Sequence, residues 1–502
     1  MHYLIGVDMG TTNIKAVIFD ENGVSQAEAR RPTPTQAIGK NGAIYDPEEL
    51  WRLVSAILRE ASEKLAASEG DNAVKGLCGI AVTGMGEAGV PLDENGGPLY
   101  PVIAWYDRRT EESVLKLREM VPDDRVLSLT GLRNQYIFTA NKLLWLHDNE
   151  PELFRRMRRW HCVPDYITFR LSGASGIDHS LCCRTMLFDP VKKDWAGELL
   201  DAVGISRGVL PMPVPSGSLI GTLTASASAA TGLPEGMGVY AGGHDHICGA
   251  LACGVWDSNT LLDSSGTSEE VLLATEDPAA AMQYGQKGYN VGCHVRPGRF
   301  YLAGGIPASG ASVDWSIRTF PTEEAGTPLA HGLMFLPHLR GSSSPERSPL
   351  SSGSFVGLRD SHTCADLRQA VCEGVCYEMR LLTDELGGAR RAVSIGGAVK
   401  NASWLRAKAN ILGTCVEVPV EKESTALGAA LLAGIGAGLY RDADHAFRMT
   451  YREGQRVEPD PELREHYERQ YGIFRELAPA LKGLNRELEM SRSSIISDTA
   501  IR

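Results

Sequence analysis

The sequence predicts an α/β protein built of two related domains that face one another. Three observations carry this. The chain has 502 residues, more than one hydrophobic core supports. Strand-like apolar runs alternate with helical patterns along most of it. One device also occurs twice: an apolar run reaching an Asp, a Gly-Thr turn, and a second apolar run. "YLIGVDMGTTNIKAVIFD" shows it at 3–20 and "NTLLDSSGTSEEVLLAT" at 259–275. These read as an internal duplication, although the match is short and two unrelated hairpins are the other reading.

Taken in order, the opening runs predict a hairpin closed by "DENG". Asp46 before Pro47 and two Glu is a helix start, followed by an amphipathic run to residue 69. "GLCGIAVTG" (76–84) reads as a strand. Helices and strands alternate to about residue 200, and a Pro-, Gly- and Ser-rich linker-like stretch follows at 211–238. "VYAGG" is a strand and a helix starts at Asp245. "RAVSIGGAVKN" (391–401) is a strand entering a Gly-rich turn, with a helix after it. A polar amphipathic helix is expected over 462–488 and a frayed tail after it.

Composition narrows the function. Apolar content is 43%, charged content 22% and net charge −12, an ordinary globular balance that disfavours nucleic acid or anionic membrane as partners. No signal peptide is evident, and no apolar run is long enough to span a bilayer. The eleven cysteines form no regular framework, and Cys372 with Cys376 lacks a second pair at zinc-site spacing. Free thiols in a cytoplasmic protein fit best.

"GMGEAG" (84–89) matches a dinucleotide-binding pattern, but strand, turn and strand follow it instead of a helix, so that reading fails. The turn "DMGTTN" is more informative. Its backbone N–H groups and hydroxyls can cradle a phosphate. Asp8 at its base would repel that phosphate unless a divalent cation lay between them, which suggests Mg²⁺. A second turn, Gly266-Thr267-Ser268, could clamp the same polyphosphate from the other side. "GGHDHIC" (242–248) offers four metal-competent side chains, but residues one or two apart on a helix do not share a face. The side chains of His244 and His246 are therefore expected to diverge, leaving Asp245 as a base.

These segments resemble the FGGY family of carbohydrate kinases, of the actin/hexokinase/Hsp70 ATPase superfold. The resemblance runs from residue 3 to about 445. It is carried by "GVDMGTTNIKAVIFD", "IAWYDRRT" (103–110), "GVYAGGHDH" (238–246), "SSGTS" (264–268), "HGLMFLPHLRG" (331–341), "IGGAVKNASWLRAKANILG" (395–413) and "ESTALGAALLAGIGAG" (423–438). It implies two actin-like (RNase H-like) ATPase domains across a cleft and transfer of the γ-phosphoryl of ATP to a hydroxyl of a sugar, polyol or sugar acid. Residues 1–245 would hold the sugar pocket and first phosphate motif, and 246–455 the second motif and adenosine site. A C-terminal helix (456–488) and a disordered tail (489–502) would follow.

Carried over by position, the resemblance places Asp8, Gly10, Thr11, Thr12, Asn13 and Lys15 at the first phosphate motif and Gly266, Thr267 and Ser268 at the second. Gly310, Gly396, Gly397, Ala398 and Asn401 fall at the adenosine. Asp245 falls on the catalytic base, with Glu87, Tyr136 and His246 beside the substrate. Asp8, with Asp245, would serve the Mg²⁺ of ATP. Dimers are common in the family, but nothing in the sequence locates an interface. A noncatalytic ATP-binding regulator of the same fold would be expected to lose the base, which is present.

Two stretches depart from the pattern. Gly341-Ser342-Ser343-Ser344-Pro345 lacks a charged pair that many relatives carry, with "PERSP" shifted downstream. At Met85-Gly86-Glu87-Ala88, Glu87 stands where xylulose kinases have His and glycerol kinases have Glu, and Gly86 replaces the latter's Arg. A carboxylate there favours a neutral ketose or polyol over a gluconate-type acid, the alternative substrate class. Arg184 is expected only to fix a hairpin, and Trp105 to be structural.

Overall fold

The computed structural model of the protein describes residues 1–39, 41–322 and 329–499. Two mixed sheets repeat one plan. The first contains β1 (Tyr3–Met9), β2 (Asn13–Asp20), β3 (Ser25–Pro32), β4 (Leu77–Gly84), β5 (Leu219–Thr222) and β6 (Gly238–His244), in the order β5-β6-β4-β1-β2-β3. The second contains β7 (Thr260–Ser265), β8 (Glu269–Thr275), β9 (Asn290–Cys293), β10 (Phe300–Ile306), β11 (Arg391–Gly396), β12 (Cys415–Pro419) and β13 (Glu453–Val457), in the order β9-β10-β8-β7-β11-β12-β13. In each sheet three parallel strands form the centre: β1, β4 and β6, then β7, β11 and β12. The hairpins β1–β2 and β7–β8 are antiparallel, and each is extended by a further antiparallel strand, β3 or β10. The two short Gly-Thr sequences thus mark equivalent hairpins of a duplicated unit.

The central strands are covered on both faces, which is why they read as continuous apolar runs. Every residue of β1 is buried except Asp8, which is half-buried. Helix α1 (Pro47–Glu69) covers one face of the first sheet, and Asp46 caps it by accepting from the N–H groups of Glu48 and Glu49. Helix α2 (Val163–Ser172) joins it there. Between β4 and β5 an insertion folds around its own core, including Leu117, Phe138, Leu143, Trp160 and Trp195.

The division at 245/246 falls at the start of helix α3 (Asp245–Ala252). The halves are not cleanly separate there. Two further helices of the second half, α4 (Cys364–Glu385) and α5 (Ala402–Leu412), pack against each other on the second lobe. The next, α6 (Ser424–Gly436), lies on β1, β4 and β6 of the first sheet and against α3. It is buried nearly all round, as its uniformly apolar sequence requires. Glycines permit the approach: a Cβ on Gly6 would stand 1.9 Å from the carbonyl oxygen of Ala426, and one on Gly428 1.9 Å from that of Cys248.

The C-terminal helix differs from expectation. It begins at Arg464 and runs to Thr499, so residues 489–499 are helical instead of a frayed tail. "SRSSIISDT" contains neither Gly nor Pro to stop it. The last three expected tail residues lie outside the described residues.

Candidate active site

The carboxyl ends of the central parallel strands gather the chemistry, as open α/β sheets generally do. Asp8 is the penultimate residue of β1. Glu87 follows β4, and Asp245 follows β6 as the first residue of α3. Asp8 Oδ1 is buried without a hydrogen-bond partner among the described residues. Burial first, then the charge of Asp245, pushes the Asp8 carboxyl up to about 7, with Lys15 and His246 opposing. Asp8 and Asp245 are thus neighbouring carboxylates, and one buried oxygen of the pair has no donor.

Asp245 accepts at Oδ1 from the N–H of His246 at 2.7 Å, using the free N–H groups of its own helix start. His244 Nδ1 lies 3.3 Å and His246 Nε2 3.8 Å from the same oxygen. The imidazoles therefore flank the carboxylate, with ring centroids 5.5 Å apart, and do not diverge as helical spacing suggests. The reason is that His244 precedes the helix in an extended conformation (φ −64°, ψ 140°), outside the helical phase. Burial holds the His244 imidazole down to about 3, so it is neutral. Cys248 points away, its thiol 3.1 Å from the position a Cβ on Gly243 would take. Among the described residues no group of three or more His, Cys, Asp and Glu is arranged to hold a metal ion.

The first turn is braced from outside. Thr33 donates to the Gly10 carbonyl at 2.7 Å, and its N–H to that of Thr12 at 3.0 Å. The indole of Trp105 donates to Thr11 Oγ1 at 3.0 Å. Lys15, opposite Asp8 in the β1–β2 ladder, pairs with Glu423 at 2.5 Å, joining the first hairpin to the segment leading into α6.

The second turn is gripped by the residues assigned to the adenosine. A Cβ on Gly310 would stand 2.0 Å from the Gly266 carbonyl oxygen, and one on Gly396 2.3 Å from that of Ser265. Gly396 has φ 87°, a left-handed value suited to glycine. The N–H of Ala311 donates to the Thr267 carbonyl, Ala398 is buried, and Asn401 caps α5 by accepting from the Trp404 N–H at 3.1 Å. Beneath the turn, Lys408 of α5 lies fully buried between Asp263 and Glu269. Burial, then the Asp263 charge, pushes the Glu269 carboxyl up to about 8. The Lys408 ammonium holds Asp263 down against burial.

The comparison with known proteins fits this geometry. Residues 3–252 match the N-terminal domain, and residues 261–437 the C-terminal domain, of the FGGY family of carbohydrate kinases. The chain belongs to that family. It is 29% identical to a xylulose kinase of Bacillus subtilis over 98% of this chain and all of the relative. It is 30% identical to a glycerol kinase of Citrifermentans bemidjiense, over 92% and 95% of the two. Among solved structures, the xylulose kinase of Rhodospirillum rubrum superposes with a TM-score of 0.85 at 28% identity, covering 97% of this chain and all of that one. The fold is accordingly the two-domain actin-like ATPase fold of the FGGY kinases, and the reaction class is phosphoryl transfer from ATP to an alcohol.

Within this family frame the pocket beside Asp245 has its own construction. Glu87 is buried and accepts at Oε1 from Arg184 Nε at 2.7 Å and from Nη2 of the same guanidinium. Arg184 thus does more than fix a hairpin. A Cβ on Gly86 would stand 2.7 Å from Arg184 Cβ and 2.9 Å from His244 Cδ2. The glycine departure makes room for an arginine that arrives from residue 184. Tyr136 is half-buried, three residues before Thr139, whose hydroxyl donates to the Glu87 carbonyl at 3.0 Å. The 341–348 loop closes on itself through Ser342 and Ser348, and the charge of Arg347 reaches the Tyr136 phenol. His246 Nδ1 meets Ser264 Oγ of β7 at 3.1 Å, a contact across the cleft.

Sequence reasoning missed Arg184, Ser264, Glu270, Glu423 and Lys408. One signal was available. Two consecutive glutamates on a strand point to opposite faces, so the pair after "SSGTS" had to place one beneath the turn and the other in the cleft.

Proposed function

We propose that this enzyme phosphorylates a hydroxyl of a small neutral ketose or polyol, with Asp245 as the base. The observation that carries the reading is the Asp245 carboxylate. It stands at a helix start, close enough to Asp8 for its charge to act there, and His246 beside it touches Ser264 of the other lobe. A carboxylate there can accept the proton of the attacking hydroxyl.

Phosphoryl transfer asks the protein mainly for positioning and charge neutralisation. The turn amides of Gly10, Thr11, Thr12 and Asn13, with Lys15, are assigned to one side of the ATP phosphates, and Gly266, Thr267 and Ser268 to the other. Gly310, Gly396, Gly397, Ala398 and Asn401 take the adenosine. Glu87, Tyr136 and His246 hold the acceptor. The orphaned Asp8 oxygen and the mutual repulsion of Asp8 and Asp245 fit a divalent cation shared with the nucleotide. When bound, Mg²⁺ supplies neutralisation of the phosphate charge. Lys15 is already paired with Glu423, so phosphate binding competes with that ion pair. All eleven cysteines are free thiols, and no helix of the described residues is long and apolar enough to cross a membrane. We assign the enzyme to the cytoplasm on the thiols.

The test is ATP consumption against a panel of three- to seven-carbon polyols, ketoses and sugar acids, with wild type and Asp245→Asn. The variant should lose about 10²–10⁴-fold in kcat while retaining ATP binding. Full activity of Asp245→Asn overturns the base, and a sugar acid as best acceptor overturns the substrate class.

A further inference from the structure

The acceptor pocket described so far is lined from the first lobe, yet the second lobe also sends a side chain into it. On β7 and β8, Asp263, Ser265 and Glu269 face the interior, where Lys408 meets all three. Strand alternation turns Ser264 and Glu270 the other way. The ladders set Ser264 opposite Glu270, and Glu270 opposite Gly305. These three are half-buried while Asp263, Ser265 and Glu269 are buried, so their face is a wall of the cleft. Ser264 Oγ touches His246, which places that wall against the residue following the base.

The groups around Glu270 are those of the acceptor pocket. Burial pushes its carboxyl up, His246 and Arg184 oppose, and Glu87 and Asp245 add to the rise. A Cβ on Gly305 would stand 3.2 Å from Glu270 Oε2, so the glycine leaves the carboxylate the space it fills. Glu87 and Glu269 have Arg184 and Ser309 as donors. No N–H or O–H of the described residues donates to the Glu270 carboxylate. A carboxylate at a cleft wall without a donor is an acceptor ready for one, and hydroxyls of a neutral polyol are donors.

We propose that Glu270 is a specificity-determining residue of the acceptor site, accepting a hydrogen bond from a hydroxyl of the neutral acceptor and repelling acceptors that carry a carboxylate. This rests on the carbohydrate kinase reading above and deepens it. Glu87 alone cannot exclude an acid, because the Arg184 guanidinium matches its charge. Glu270 is in no ion pair among the described residues, feels Arg184 only at longer range, and faces the same space from the opposite lobe. It also lies two residues beyond Ser268, so a hydroxyl held by Glu270 is tied through the backbone to the second phosphate turn.

Two variants test this. Glu270→Gln removes the charge. Gly305→Ala leaves the glutamate in place and crowds its carboxylate aside. Steady-state kinetics should be measured with the best wild-type acceptor of the panel and with the sugar acid of matching chain length, separating kcat, KM for the acceptor and KM for ATP. In both variants KM for the acceptor should rise about tenfold or more with KM for ATP unchanged. Glu270→Gln should raise kcat/KM for the acid relative to the neutral acceptor about tenfold. An unchanged acceptor KM and unchanged acid-to-neutral ratio in both variants, or a loss confined to KM for ATP, overturns the assignment. A wild type that phosphorylates nothing in the panel fails the kinase reading itself. A wild type that works, with variants that match it, fails only Glu270.

Discussion

The buried cluster beneath the second phosphate turn gives a prediction in which two neighbouring substitutions act in opposite directions. Lys408, Asp263 and Glu269 are all inaccessible to solvent. Asp263 also accepts from Ser265 and Ser394, each at 2.6 Å. One ammonium cannot balance two carboxylates, and the cluster resolves this by protonating Glu269, whose carboxyl stands at about 8 against an ordinary 4.5. A raised carboxyl contributes stability that is present below pH 4.5 and lost as pH rises towards 8. At pH 7 the protonation costs about 3 kcal/mol, since each pH unit above the ordinary value adds about 1.4 kcal/mol. Glu269→Gln keeps the shape and the donor without that cost. It should unfold at the same or higher urea concentration than wild type at pH 8, with its relative advantage shrinking towards pH 5. Lys408→Met leaves Asp263 buried and uncompensated and should cost about 3–5 kcal/mol. The assay is urea unfolding followed by fluorescence across pH 5–8. Parallel pH profiles for Glu269→Gln and wild type, or a Lys408→Met variant as stable as wild type, would refute the account.

Two further outcomes concern packing and acid stability. Gly428→Ala drives a methyl into the Cys248 carbonyl of α3. It should destabilise by about 1–3 kcal/mol and lower kcat, because α3 carries Asp245; a thermal melt with a rate assay checks both. His161, His244 and His294 are each held neutral, down to about 3, by burial. Their contribution is present above the ordinary imidazole value of about 6.5 and is lost as pH falls towards 3. At pH 5 each costs about 2 kcal/mol, so urea midpoints should fall steeply below pH 6.5, and less so in His294→Asn.

Local signals carried the fold and the strand-end residues, and failed where distant segments meet. The paired hairpins were readable because turn chemistry and apolar runs are local, and the ladders of β1–β2 and β7–β8 match them. The cap of α1 was readable for the same reason. Arg184 was not: its partner Glu87 lies 97 positions away, and nothing near "CCRTM" shows that its stem fills the space left by Gly86. The flanking of Asp245 by both imidazoles was misjudged because helical spacing was applied to a residue just outside the helix. The last residues read as a frayed tail because chain ends commonly fray, although "SRSSIISDT" holds no breaker to end the helix. Nothing in the helix sequence marks Lys408 as buried, and only the fold brings Asp263 beneath it.

Helix α6 has a consequence for how the molecule is made. The core it enters mixes Leu4, Val17, Phe19, Ala81 and Tyr240 of the first half with Ala426, Leu427 and the alanines and leucines up to residue 433. On the ribosome, the first strand to emerge must wait for more than four hundred further residues before its second face is covered. A fragment ending near residue 255, between the two matched family regions, would carry that face bare. The boundary between the two family domains therefore does not separate two cores: the second face of the first sheet is covered by a helix that the second half supplies.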